Sequence, residues 1–167
     1  MFSLADDSIR HGPLSKIPKK MKEILIRRMN EEDVPSVVAI EKTSFSLPWS
    51  ETSFLNEIRK QHAISRVAIL NDAVVGYICA ESVMDEGHIL NLGIHPQYRK
   101  KGIGTALVEN ILEDLKVRAC RFLYLEVRAS NFAAKKLYRS FGFALVGTRK
   151  NYYVAPNEDA VIMMLEI

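Results

Sequence analysis

The sequence predicts an α/β (α+β) fold, a β-sheet with helices packed on its faces. Two observations carry that reading. Short apolar runs of strand character alternate along the chain with segments whose apolar residues recur at helical spacing. Turn dipeptides, capping residues and glycines stand where one kind of element gives way to the next.

Ile24–Met29 reads as an opening strand. Asn30 suits the cap of a following helix, with Asp33 behind it and Val34, Val37, Val38 and Ile40 continuing the element. Ser50 begins a second helix whose apolar stripe is Phe54, Leu55 and Ile58. Ala63–Leu70 and Val74–Met84 form a hairpin around Asn71-Asp72, residues that tolerate tight-turn dihedrals. His88–Ile94 is the fourth strand. From Gly102 to Arg118, the residues Leu107, Val108, Ile111, Leu112 and Leu115 keep helical spacing. Arg121–Arg128 is the fifth strand. Asn131–Phe141 is a helix closed by Gly142, which suits a left-handed terminal position. Phe143–Tyr153 and Ala160–Glu166 finish the sheet as a strand pair.

A chain of 167 residues, 48% hydrophobic and 26% charged, has the size and composition of one soluble domain, expected over residues 23–167. Residues 1–22 carry five basic and two acidic side chains with Gly12, Pro13 and Pro18, and read as a flexible basic extension, either an RNA-touching arm or a solvated tail. The net charge of +3 arises there, because the remainder balances at eighteen of each sign. No apolar run approaches the roughly 18 residues of a membrane span, and no signal peptide is visible. Cys79 and Cys120 read as reduced thiols of a cytoplasmic protein, and the scattered histidines predict no metal site. No sequence-specific nucleic-acid contact is expected.

Chemistry concentrates in Leu90–Thr105, an apolar strand, a basic turn and a helix opened by glycines. A helix start presents unpaired N–H groups and the positive end of the macrodipole. Gly102 and Gly104 leave those donors uncovered, while Arg99, Lys100 and Lys101 add charge, so the segment predicts a phosphate cradle. A Walker loop is excluded, because Thr105-Ala106 follows Gly104 where Lys-Ser/Thr belongs. A Rossmann fingerprint lacks its third glycine, Leu107 standing in its place.

The pattern Arg99-x-x-Gly102-x-Gly104 resembles the pyrophosphate loop of the GCN5-related N-acetyltransferases, which bind acetyl-coenzyme A. Leu125–Asn131, Ala134-x-x-Leu137-Tyr138-x-x-Phe141-Gly142-Phe143, and Arg149–Tyr153 followed by Glu158–Met163 are similar to the family's distal half. With Phe45–Ser50 in front, the chain resembles the RimI type, which acetylates the N-terminal alanine of a small-subunit ribosomal protein. The resemblance implies a mixed, mostly antiparallel seven-strand sheet, splayed between strands four and five and flanked by about four helices. It assigns Glu126 as general base, through water, and Tyr138 as general acid. It places acetyl-coenzyme A on Leu92, Gly93, Ile94, Arg99, Lys100, Lys101, Gly102, Ile103, Gly104, Thr105 and Asn131. It also implies a protein or peptide N-terminus, that of a ribosomal protein, as partner.

Read from the residues alone, several of these positions have a plainer meaning. Strand alternation sets Glu126 on the face opposite Leu125 and Val127, where it reads equally as a surface carboxylate paired with Arg128. Tyr138 can be an aromatic packed on the sheet, Asn131 a helix N-cap and Gly93 a packing notch. Trp49, Tyr152 and Tyr153, with Phe45, read either as walls of a peptide groove or as core and hairpin aromatics. An α-amine, with a reference pKa of about 8 against about 10.4 for lysine, is partly neutral at cellular pH and suits a modest base. The rival readings are a lysine or small-amine acetyltransferase and a non-catalytic coenzyme A sensor.

Overall fold

The computed structural model describes residues 23–167; the expected extension over residues 1–22 lies outside the described residues. Seven strands, β1 (Leu25–Arg28), β2 (Ala63–Leu70), β3 (Ala73–Val83), β4 (Glu86–Ile94), β5 (Phe122–Arg128), β6 (Ala144–Val154) and β7 (Asn157–Glu166), form one sheet in the order β1-β2-β3-β4-β5-β7-β6. Four helices lie against it: α1 (Val34–Ser44), α2 (Glu51–Arg59), α3 (Ile103–Val117) and α4 (Phe132–Ser140). Every strand pairing is antiparallel except β4 with β5, which are joined through α3 as a parallel pair must be.

Strand alternation builds two apolar layers. Ile78, Ala80, Leu123, Leu125 and Val127 point to the face covered by α3 and α4, against Leu107, Ile111, Leu115 and Tyr138. Tyr77 and Cys79 point to the other, against Val34, Val37 and Ile40 of α1 and Phe54 of α2. Among the described residues no helix is long and apolar enough to cross a membrane.

The elements follow the predicted order, and the β2–β3 turn is the expected Asn71-Asp72, both in the left-handed region at φ 52° and 62°. The last hairpin departs from the prediction. β7 begins at Asn157 rather than Ala160, because Val154 pairs with Asn157 and Tyr153 with Glu158 around Ala155-Pro156. The polar run Asn157-Glu158-Asp159 reads as loop by composition. It is held in the strand by Arg128, distant in sequence, on Glu158 at 3.4 Å and, across the hairpin, by the Asn151 N–H on Asp159 at 2.8 Å.

The entry to α1 is a capping box at a short 3-10 turn, Glu31–Asp33. The Asp33 N–H donates to Asn30 Oδ1 at 3.2 Å, and the Asn30 N–H returns to Asp33 Oδ2 at 2.9 Å. Both terminal nitrogens of Arg27 on β1 grip the same carboxylate, at 2.7 and 2.8 Å. Burial alone would raise the Asp33 pKa, but the Arg27 fork and the Asn30 N–H outweigh it and hold the carboxyl below its usual value. A depressed folded-state pKa stabilises above the unfolded value and loses that contribution as pH falls through the folded one. Asp33→Asn is therefore expected to cost about 1 kcal/mol or more at neutral pH. Urea denaturation of both proteins should show the difference shrinking as pH falls below about 4.

Candidate active site

β4 and β5 are paired only from Glu86–Phe122 to Ile89–Leu125. Leu90 is then an extra residue on β4, since Ala80 faces Ile89 while Cys79 faces Asn91. Such a bulge bends its strand and re-aims the residues beyond it. Past Leu90, β4 stays with β3 as far as Ile94, and β5 stays with β7 as far as Arg128. The sheet therefore opens into a split holding a cavity of about 370 Å³ between Leu90–Leu92 and Leu125–Arg128. Trp49, Asn131, Tyr138 and Tyr153 also reach it. Of the expected site residues, Glu126, Tyr138, Leu92, Asn131, Trp49 and Tyr153 come together here.

Glu126 projects from β5 on the face away from Leu125 and Val127, as alternation requires. Its Oε2 lies 2.7 Å from His88 Nε2 and its Oε1 3.6 Å from Arg149 Nη2. It also borders a second groove of about 310 Å³ with His88, Tyr124 and Arg149. The Arg128 pairing that the strand pattern allows is not made. Arg128 binds the Pro156 and Ala155 carbonyls at 3.0 and 3.2 Å as well as Glu158, with its guanidinium 4.2 Å above the Tyr153 ring.

Tyr138 approaches from the opposite side of the sheet. It is 5% exposed on α4, its ring 5.4 Å from Phe143, and burial, aided by nearby Tyr153, pushes its pKa up. Asn131 is the N-cap of α4, accepting the Ala134 N–H at 3.1 Å, and it lines the cavity as well. The plain and the functional readings of Asn131 are thus compatible.

The basic turn ends in Lys100 at φ 59° and Gly102 at φ 80°. The first intrahelical bond of α3 is the Ala106 N–H to the Gly102 carbonyl, so the N–H groups of Ile103, Gly104 and Thr105 precede the ladder. A Cβ on Gly102 would meet nothing within 4 Å, whereas one on Gly104 would sit 3.2 Å from Leu137 on α4. The first glycine serves the left-handed turn and the second the close approach of two helices. Arg99 turns back to brace the loop, donating to the Ile94 carbonyl at 3.2 Å and Ser44 Oγ at 3.1 Å. Lys101 rests 5.1 Å from the Tyr98 ring centre, and Lys100 is exposed.

Gly93 is a packing notch. A Cβ there would lie 2.5 Å from the Tyr77 ring, which faces it across the β3–β4 pair. Ile94 packs against the α3-side core. Tyr152 stays outside the cavity, 51% exposed, stacked edge-on against Tyr153 at 5.1 Å.

Sequence reasoning missed His88, Arg149, Glu41, Tyr77 and Asn91. Glu41 left a signal, a carboxylate on the same helical stripe as Val34 and Val37. His88 and Arg149 left none, because only strand register sets them beside Glu126.

The chain matches the Acetyltransferase (GNAT) family over residues 34–143 and belongs to it. The ribosomal protein bS18-alanine N-acetyltransferase of Escherichia coli is 35% identical over 144 residues, spanning 85% of this chain and 97% of that protein. A Bacillus subtilis protein provisionally given the same activity is 39% identical over 143 residues, spanning 85% and 95%. The E. coli crystal structure matches at a TM-score of 0.81 with 34% identity, over 87% of this chain and 94% of that one.

The Tyr77 ring on the Gly93 backbone gives a direct expectation. Gly93→Ala should cost about 1–3 kcal/mol through overpacking. The measurement is a urea midpoint, and an unchanged midpoint contradicts the contact.

Proposed function

We propose that the chain transfers acetyl from acetyl-coenzyme A to the α-amino group of a protein N-terminus, that of the alanine of a small-subunit ribosomal protein. The observation that carries this reading is the meeting of Glu126 and Tyr138, from opposite sides of the sheet, in one cavity at the split. Near-complete coverage of the E. coli enzyme supports the choice of acceptor.

The residues fit the donor. The N–H groups of Ile103, Gly104 and Thr105, with Lys100 and Lys101, offer a pyrophosphate the donors and charge it needs. The β4 backbone from Leu90 to Leu92 has lost its β5 neighbour and offers an extended arm the groups an added strand would use. Bound acetyl-coenzyme A supplies a thioester-activated acetyl group. Glu126 collects the proton of the attacking amine through water, and His88, bonded to its Oε2, lines the second groove beside it. Tyr138 keeps its proton across the working pH range because its pKa is raised, and it offers the O–H to the departing sulfur. The same burial makes full transfer from the phenol uphill, so most of its effect is the hydrogen bond. Trp49 and Tyr153 wall the acceptor side.

Three measurements test this. An N-terminal Ala peptide and an N-blocked peptide with an internal Lys are incubated with acetyl-coenzyme A and read by fragmentation mass spectrometry. Acetyl on the Ala amine is expected, and acetyl on Lys alone replaces this reading with the lysine one. Glu126→Gln should lower kcat by about 100-fold or more with the KM for acetyl-coenzyme A little changed. Replacing Lys100 and Lys101 with Ala should raise that KM and spare kcat, and an unchanged KM removes the phosphate role.

A further inference from the structure

The roles of Glu126 and Tyr138 leave unused the most deeply buried carboxylate at the cavity wall. Glu41, on the last turns of α1, is 1% exposed. Its Oε1 accepts the Trp49 N–H at 2.8 Å and the Asn91 amide at 3.2 Å. Its Oε2 accepts the same amide at 3.1 Å and the Tyr77 hydroxyl. Among the described residues no Lys, Arg or His lies within ion-pair distance of it. A buried charge held only by neutral donors is a costly way to join segments that apolar packing would join more cheaply. Its oxygens are occupied, so it is not placed to take a proton from a reactant.

The segments it joins are informative. Trp49 belongs to the α1–α2 connection that walls the acceptor side. Tyr77 is the β3 residue whose ring covers Gly93. Asn91 immediately follows the Leu90 bulge, where β4 leaves β5. One carboxylate therefore ties the acceptor wall to the strand segment at the split. A rigid, directional tie suits a site where small misplacements of reacting groups cost large factors in rate.

We infer that Glu41 is a positioning residue for acetyl transfer, holding Leu90–Leu92 and the Trp49 wall in register with each other while touching no reactant. This rests on the reading of the cavity as the acetyl-transfer site. In Glu41→Gln one oxygen becomes an N–H₂ that must face two of these donors, the Asn91 amide and either the Trp49 N–H or the Tyr77 hydroxyl, so the register loosens. The expected result is a kcat lower by about 10- to 100-fold and a higher KM for the Ala peptide. The KM for acetyl-coenzyme A should move less than about twofold, because the α3 start that holds its phosphates is untouched.

The assay is run at a temperature where circular dichroism shows each variant folded. Asp33→Asn, which weakens α1 from its far end, serves as the stability control and should keep wild-type kcat. Tyr77→Phe, which removes a single donor and keeps the ring, should show the same pattern more weakly even where Glu41→Gln fails to fold. Exchanging the pair, Glu41→Gln with Asn91→Asp, should recover part of kcat. A Glu41→Gln or Tyr77→Phe protein that melts lower but keeps kcat and peptide KM assigns Glu41 to stability alone and overturns the inference. A wild type that transfers no acetyl overturns the cavity reading first, and this inference with it.

Discussion

The structure turns on where β4 and β5 stop pairing. A parallel pair has evenly spaced hydrogen bonds along its length, and every buried backbone group in it requires a partner. Here the pairing ends at Ile89–Leu125, and the Leu90 bulge carries β4 away while β7 continues to hold β5. The strand groups released in this way are satisfied on one edge only and face a cavity on the other. An open edge inside a domain is ordinarily a liability. In this fold it lines a cavity kept narrow by α4 on one side and the α1–α2 connection on the other.

Holding the split at one width is then a packing problem. On the α3 side Leu107, Ile111 and Leu115 fill the layer beneath β4 and β5, so the two strands are tied together up to the point of divergence. On the other side the layer is smaller and includes a polar joint, Glu41 with Tyr77, Asn91 and the Trp49 backbone. Apolar contacts set distance but tolerate sliding, whereas hydrogen bonds to a carboxylate are directional. Arg128 does comparable work at the mouth, gathering Ala155, Pro156, Glu158 and the Tyr153 ring about one guanidinium.

Most of the fold was legible because its signals are local. The Asn30–Asp33 cap, the Asn71-Asp72 turn, the Gly102 helix start and the Gly142 stop each depend on a few neighbouring residues, and each stands where expected. The start of β7 was not legible, because Asn157-Glu158-Asp159 is polar by composition and is held as strand partly by Arg128, which strand order alone brings near. The site divides in the same way. The glycine turn that opens α3 was readable as a string, but the contact of Gly104 with Leu137 on α4 was not. His88 and Arg149 beside Glu126 are products of register, and register is set by pairings that no single stretch of sequence contains.

The opposite placement of Glu126 and Tyr138 explains why the split is needed for the chemistry proposed. Glu126 leaves β5 on the face away from α3 and α4, while Tyr138 is buried in the layer those helices form. In an unbroken sheet these two side chains would be separated by a hydrogen-bonded backbone wall. Because the wall is missing beyond Leu125, one cavity touches both. Their environments then diverge. The phenol lies in an apolar layer that keeps it protonated, whereas the carboxylate lies among His88, Arg149 and a groove that admits water. A group that accepts a proton and one that donates a hydrogen bond are thereby kept on either side of a reacting centre without neutralising each other. The bulge at Leu90 therefore determines more than the shape of the cavity: it decides whether the two halves of the proposed reaction can meet.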